Sequence, residues 1–362
     1  MQHIVFRVDS SYEIGTGHVM RCLTLAKEIR KQVEAEIYFF SRNSQGNINS
    51  LIESEGFHLV EMEAPGEVKN GELKHCAWLG KTPEADAEEF LNLVDNLELP
   101  KVDCLVIDHY GIDKKWQSLV SNVAYKTLVI DDLGDRFHQC DFLLDQTFNS
   151  KDEKYNKLVP LGCKLLLGTK YALLREEFRE TVITGAMVDQ KRQNKVLVMF
   201  GGTDPTNLTL KSLHILVKRK DVTEINVILG PSAMHAVEVK QFCEGRANIT
   251  LHISPSNIAE LMSASDLAVG AAGTTSWERC ASGLPAVVVI QADNQRQIAK
   301  ELEAEGVITY LEEDEIELNL NTHIDQWLSA DNLKDKLKDK CIEICDAMGS
   351  NRVICELFLS NK

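Results

Sequence analysis

Membrane-spanning segments, an excess of basic charge and several familiar catalytic motifs are all missing from this 362-residue sequence. No run reaches the roughly 18 apolar residues of a membrane span. The opening MQHIVFRVDSS lacks the basic head and long apolar stretch of an export signal, which sets the expectation of a cytoplasmic protein with no membrane partner. Lys and Arg number 39 against 55 Asp and Glu, a formal net charge of -16. Such a surface repels phosphate backbones, so nucleic acid is not an expected partner. A small anion is still admitted, because backbone amides bind phosphate without a basic surface. Asp-x-Asp, His-Glu-x-x-His, a Walker lysine loop and a Gly-x-Ser-x-Gly elbow are also absent. Neither a metal-held diphosphate nor a serine nucleophile has support, and no metal or cofactor is expected. The ten cysteines are scattered, many inside apolar runs such as that around Cys104, and read as free thiols and not as a disulfide framework. Cys341 and Cys345 are spaced as helix neighbours, not as a Cys-x-x-Cys pair.

What the chain does have is a rhythm repeated in two halves. Short apolar runs at residues 3–8, 36–40, 102–107 and 127–130 alternate with amphipathic stretches at 19–31, 48–55, 84–97 and 114–122, interrupted by a less regular insertion at 61–81. After a polar stretch at 184–194 the pattern restarts, with strands expected at 195–200, 224–229, 248–252, 266–269 and 286–290. Strands separated by helices pair in parallel, so the expected fold is α/β, two doubly wound domains facing across a cleft. Domains are expected at 1–185 and 195–345. Helices at 332–348 and 352–359 follow, and the segment 346–362 is expected to pack back on the first domain.

In such folds ligands meet the loops at the strand ends. The first strand runs through Ser10-Ser11-Tyr12-Glu13-Ile14-Gly15-Thr16-Gly17-His18 into a helix. Gly15 and Gly17 permit close backbone approach. His18 falls at the helix N-terminus, whose dipole helps keep the ring neutral and therefore able to act as a base. A lone histidine there is more often a cap, so the reading depends on a partner loop. The second half supplies one in Gly270-Ala271-Ala272-Gly273-Thr274-Thr275-Ser276-Trp277-Glu278, where small residues and hydroxyls form a phosphate cradle. Thr274 and Glu278 share a helix face, so Glu278 is placed to accept from a sugar diol, the alternative being a surface glutamate on a tight turn. Gly201-Gly202-Thr203-Asp204-Pro205 reads either as a second diphosphate contact through Gly202 or as a plain turn, with Asp204 and Pro205 as N-cap and N1. Asn294 and Gln295 offer amides suited to sugar hydroxyls, or simply a solvated helix start. His109 and Tyr110 sit at the ligand-facing end of a strand, where a polar strand terminus is the alternative.

Taken in order, several segments resemble the PseG family, UDP-sugar hydrolases of pseudaminic acid biosynthesis whose domains look like those of MurG. They are Arg7-Val8-Asp9-Ser10-Ser11, Ile14-Gly15-Thr16-Gly17-His18-Val19-Met20-Arg21-Cys22, Val106-Ile107-Asp108-His109-Tyr110-Gly111-Ile112, Asp131-Asp132, Asp141-Phe142-Leu143-Leu144-Asp145-Gln146, the stretch from Leu166 to Arg175, Gly201-Gly202-Thr203-Asp204, the 270–278 loop and Ala292-Asp293-Asn294-Gln295. The resemblance implies a GT-B type fold of two Rossmann-like domains. It also implies metal-independent hydrolysis of UDP-2,4-diacetamido-2,4,6-trideoxy-β-L-altropyranose to UDP and the free sugar. It places the base on His18, the UDP-binding loop on residues 270–278 within the 195–345 domain, and the ribose contact on Glu278. Substrate contacts are expected from Gly15, Gly17, Tyr110, Gly202, Gly273, Thr274, Thr275, Glu278, Asn294 and Gln295. A diphosphate is a good leaving group, so one base aiming one water suffices, and a single displacement inverts C1. A glycosyltransferase of the same fold, or a non-catalytic nucleotide-sugar-binding protein, would use the same residues. The insertion at 61–81 and the tail beyond about residue 320 match no motif of the family.

Overall fold

The computed structural model describes residues 1–66, 73–184, 193–230, 232–329 and 334–359. The chain divides into two units, Met1–Leu173 together with Gly349–Lys362, and Leu174–Met348. The passage into the second unit comes earlier than the boundary expected at residue 185, because the helix Glu176–Thr184 packs on the helices Ile258–Ser263 and Thr275–Ala281. Most of the polar stretch expected as a linker, 185–192, lies outside the described residues.

The first unit holds seven parallel strands: β1 (Gln2–Val8), β2 (Ala35–Arg42), β3 (His58–Met62), β4 (Cys104–Asp108), β5 (Thr127–Ile130), β6 (Phe142–Asp145) and β7 (Lys164–Leu167). Their order is β3-β2-β1-β4-β5-β6-β7. Alternation along β1 serves two cores, Ile4, Phe6 and Val8 entering one and Val5 the other. β4, Cys-Leu-Val-Ile-Asp, is buried throughout, as a strand covered on both faces must be. The helix Gly17–Gln32 buries Val19, Cys22, Leu23, Ala26 and Ile29 at helical spacing and ends with Arg30 and Lys31 against its negative pole. It begins earlier than expected, so His18 lies inside its first turn. Val353, Ile354 and Leu357 return to the core of β1. Here the structure departs from the two long helices expected: Lys334–Ile344 stops short, and Gly349–Ile354 follows a separate start. A Cβ on Gly349 would lie 2.2 Å from the Ala172 carbonyl oxygen, so the chain comes closer there than any larger residue allows.

The second unit holds six parallel strands, β8 (Lys195–Met199), β9 (Glu224–Leu229), β10 (Ile249–Ile253), β11 (Leu267–Ala271), β12 (Ala286–Ile290) and β13 (Ile308–Glu312), in the order β10-β9-β8-β11-β12-β13. Both sheets are doubly wound, so each has a switch point where the strand order reverses, β1 beside β4 and β8 beside β11. The loops singled out in the sequence leave the sheets there, except that of Asn294 and Gln295, which follows β12.

Candidate active site

At the β1/β4 switch point the loop after β1 turns at Gly15, whose φ of +79° suits glycine and whose amide bonds Ser11 O at 2.9 Å. A Cβ on Gly15 or Gly17 would meet nothing within 4 Å, so the backbone is open to a ligand. The helix that follows carries His18 and Arg21, three residues apart on one face, toward Asp108 at the end of β4. His18 Nδ1 lies 2.6 Å from Asp108 Oδ1, and Arg21 grips the same carboxylate with Nε and Nη2, each at 2.6 Å. An ionised carboxylate can only accept, so the Asp108 contact favours a proton on His18 Nδ1, and in the neutral ring that tautomer presents the Nε2 lone pair. Burial opposes the Asp108 charge, but Arg21 and His18 outweigh it and hold the carboxyl well below its ordinary range.

A second acid extends the group. Arg21 Nη1 reaches Asp132 Oδ2 at 3.2 Å, and the Tyr110 hydroxyl donates to Asp132 Oδ1. Tyr110 then stands edge-on to the His18 ring, centroids 4.6 Å apart at 85°. His18 and Tyr110 are each 8% exposed, so the His18 ring is reached through a narrow opening. Tyr110 follows the end of β4, as the sequence places it, and the structure brings it beside His18. His109 turns the other way and is buried. Its Nδ1 accepts from the Gly111 amide at 3.0 Å, and its Nε2 lies 3.3 Å from Asp9 Oδ2 without hydrogen-bond alignment. It belongs to a buried network behind the site, in which Asp86 accepts from Arg7 Nη2 at 2.8 Å, from Trp116 Nε1 at 2.8 Å and from Arg42.

In the second unit the 270–278 loop leaves β11 at the β8/β11 switch point. Gly270 is required by packing, since a Cβ there would fall 2.2 Å from Met199 O. Gly273 is required by nothing around it, with 4 Å of open space where a Cβ would be. Thr274 and Thr275 begin the helix Thr275–Ala281, and Thr274 makes no side-chain cap, so its hydroxyl is not spent on the helix. Glu278 is no free surface residue: Arg175 Nη2 donates to its Oε1 at 3.2 Å, while Arg175 Nη1 holds Glu177 at 2.8 Å. Beneath the loop lies a residue that no motif singles out, Arg279. It is buried, donating from Nη2 to Ala271 O at 2.9 Å and Ser276 Oγ at 3.0 Å, and among the described residues its Nε has no partner and no carboxylate pairs with it. Burial pushes this guanidinium down to about 10, the mark of a cation short of counter-charge.

The flanking sites are more structural. Gly202 packs against Gly230, whose Cβ would come within 2.7 Å of the Gly202 Cα. The N-cap expected at Asp204 falls at Asn207, because the helix starts at Leu208. Asp204 still serves it from one turn before, accepting from the amides of Leu208 and Thr209 at 2.9 Å each. Gln295 Oε1 accepts from the Gln291 amide at 3.0 Å, and the Asn294 side chain lies outside the described groups. A cavity of about 560 Å³ opens beside Gln291, between Lys211, Arg296 and Glu312, with no residue of the 270–278 loop in its lining. Among the described residues no cluster of His, Cys, Asp or Glu is arranged to hold a metal, and no helix is long and apolar enough to cross a membrane. Among the described residues no two cysteines form a disulfide.

Residues 177–343 match the glycosyltransferase family 28 C-terminal domain. The chain is 30% identical over 264 residues to the UDP-2,4-diacetamido-2,4,6-trideoxy-beta-L-altropyranose hydrolase of Campylobacter jejuni, covering 73% of this chain and 82% of that protein. It is 28% identical over 300 residues to an uncharacterized protein of Methanocaldococcus jannaschii, MJ1062, covering 81% of this chain but only 57% of that longer relative. Among solved structures it is similar to MurG of Acinetobacter baumannii, with a TM-score of 0.65, 17% identity and 99% of each chain covered. The two doubly wound sheets are those of the GT-B fold.

Proposed function

Because this chain belongs to the family of UDP-2,4-diacetamido-2,4,6-trideoxy-β-L-altropyranose hydrolases, the PseG family, we propose that it cleaves this nucleotide sugar to UDP and the free sugar with His18 as base. The observation that carries the reading is the 2.6 Å contact of His18 Nδ1 with Asp108, which leaves Nε2 as a proton acceptor. In the proposed step Nε2 takes a proton from water as the water oxygen bonds to C1. The C1–oxygen bond to the diphosphate breaks, and its electron pair leaves with UDP. Asp108 stabilises the imidazolium that forms, in the manner of a buried orienting acid. UDP is assigned to the 270–278 loop, with Gly273, Thr274 and Thr275 at the phosphates, Arg279 supplying positive charge from below, and Glu278 at the ribose. One displacement without a carboxylate nucleophile inverts C1.

A panel of UDP-sugars incubated in ¹⁸O-water, followed by NMR and mass spectrometry, tests this. Label is expected on the sugar and none on UDP. Heavy oxygen in UDP would mean attack at phosphorus, and the mechanism would fall. The match to glycosyltransferase family 28 favours a second reading, in which His18 deprotonates an acceptor hydroxyl. UDP release that depends on an added acceptor would establish that reading in place of hydrolysis.

A further inference from the structure

The insertion at 61–81, which matches no motif of the family, returns to the His18 site. Its ends are tied together, the Gly66 amide donating to Gly80 O at 2.8 Å, while Lys81 Nζ bridges Glu63 at 2.6 Å and Glu89 at 2.9 Å. Between them the turn Cys76–Leu79 lays Trp78 over Tyr110, centroids 5.7 Å apart and planes at 24°, and sets it at 76° to the His18 ring, centroids 6.4 Å apart. His75 completes the group, 4.4 Å from Trp78 and 5.6 Å from Tyr110. The His75 carbonyl would lie 2.9 Å from a Cβ on Gly111, so this loop needs glycine for the insertion to sit as closely as it does.

Two features separate this aromatic group from ordinary core. Trp78 and His75 are only half buried, whereas Trp116 and Trp277 are fully enclosed. The Tyr110 hydroxyl is committed to Asp132, but neither the Trp78 indole N–H nor the His75 ring nitrogens have a hydrogen-bond partner among the described residues. Burial, then Lys74, oppose a charge on His75, so the wall is neutral at pH 7. A flat, neutral aromatic surface with unspent polar tips suits a ligand carrying methyl groups and amides better than one carrying only hydroxyls.

Resting on the function proposed above, we propose that Trp78 and His75, from an insertion outside the family's motifs, form the wall that selects and positions the sugar, favouring a deoxy, acetamido-bearing pyranose over a fully hydroxylated one. A hydrophobic contact of this size discriminates by about 10- to 200-fold per methyl-sized group.

The experiment compares Trp78→Ala, Trp78→Phe and His75→Ala with the wild type. It uses two UDP-sugars, one deoxy and diacetamido and one hexose with hydroxyls at the same carbons, with UDP as competitive inhibitor. Trp78→Ala is expected to raise KM for the acetamido substrate about 10-fold or more and to collapse the preference, leaving inhibition by UDP unchanged. Trp78→Phe, which keeps a ring and lacks the N–H, should fall between and guards against a folding defect. Tryptophan fluorescence should respond more to the UDP-sugar than to UDP, whose signal comes from Trp277 in the 270–278 loop, and the excess should vanish in Trp78→Phe. This binding readout decides the matter even if the wild type transfers the sugar instead of hydrolysing it. Unchanged selectivity in all three variants, or a parallel loss of UDP affinity, would overturn the wall. A wild type that binds UDP but no UDP-sugar would overturn the wall and the proposed function together.

Discussion

Asp108→Asn changes one charge and almost no volume, and the geometry around it says what the amide must do. One carboxylate oxygen serves both His18 Nδ1 and Arg21 Nη2, and the other serves Arg21 Nε. An asparagine has one accepting oxygen and one NH2, so either orientation sets a donor against a donor. With the oxygen toward His18, the amide NH2 faces Arg21 Nε. With the oxygen toward Arg21 Nε, the NH2 faces His18 Nδ1, which must then accept, and the ring proton moves to Nε2. The base is lost in that tautomer. Turnover is expected to fall by about 10²- to 10⁴-fold, the range spanned by losing a positioned base and by the wrong tautomer in catalytic triads. Stability falls too, because removing one partner of a buried ion pair costs about 3–5 kcal/mol. Arg21 keeps Asp132 at 3.2 Å, which argues for the lower end. At roughly 2–4 °C per kcal/mol for a domain of this size, the melting temperature should drop by about 6–12 °C. Turnover of a UDP-sugar is measured well below that midpoint, beside thermal unfolding of both proteins. A variant that turns over within a few-fold of the wild type would refute the role of Asp108 and the tautomer argument with it.

His18→Ala should lower turnover by about 10²-fold or more while UDP inhibits as before, since a base acts in the transition state alone; steady-state kinetics with UDP as inhibitor checks both halves. Glu278→Ala should weaken UDP and substrate together, as uniform binding does, and calorimetric titration showing unchanged UDP affinity would return Glu278 to a purely structural partner of Arg175. Activity should survive exhaustive chelation, and loss restored by a divalent ion would reveal a metal site. Asp9, Asp108 and Asp131 are buried, which by itself would raise them, yet neighbouring Arg and His groups hold all three carboxyls below their ordinary range. The unfolded chain therefore binds protons first on acidification. The stability these groups add is present above about pH 4 and lost below it, by up to about 4 kcal/mol per pH unit for three protons. Urea unfolding midpoints that stay flat from pH 5 to pH 3 would contradict this.

Most of the strands that alternate with helices are legible as such, but β3 is not, its last residues reading as the start of the insertion at 61–81. The apolar run at 3–8 is β1 within a residue, and 127–130 is β5. β6 and β7 were not, because they are four residues each and are joined through 3-10 turns instead of a helix, so the rhythm that reveals the others is missing. β13, in Ile-Thr-Tyr-Leu-Glu, is hidden by the acidic residues that follow it. At the site, His18 and the 270–278 loop declare themselves by glycine spacing and position. The Asp108 and Asp132 contacts do not, since they join Arg21 to residues 87 and 111 positions away. The one available signal was local: His18 and Arg21 stand one helical turn apart, and acids close two adjacent strands. The sense of His109 was not readable either, because a side chain at a strand end can turn to either side.

Val353, Ile354 and Leu357 complete a core whose other members begin at Ile4. The first unit is therefore closed only after the second has been translated: some 350 residues separate Ile4 from the side chains that complete its hydrophobic interior. The intervening Leu174–Met348 unit is continuous in sequence and can fold as it emerges. Until then the face of the first sheet that receives these three side chains is open, a stretch of synthesis during which a chaperone has something to hold. A premature stop near residue 350 would strand the nascent protein in that state, with its second half formed and its first half unsealed.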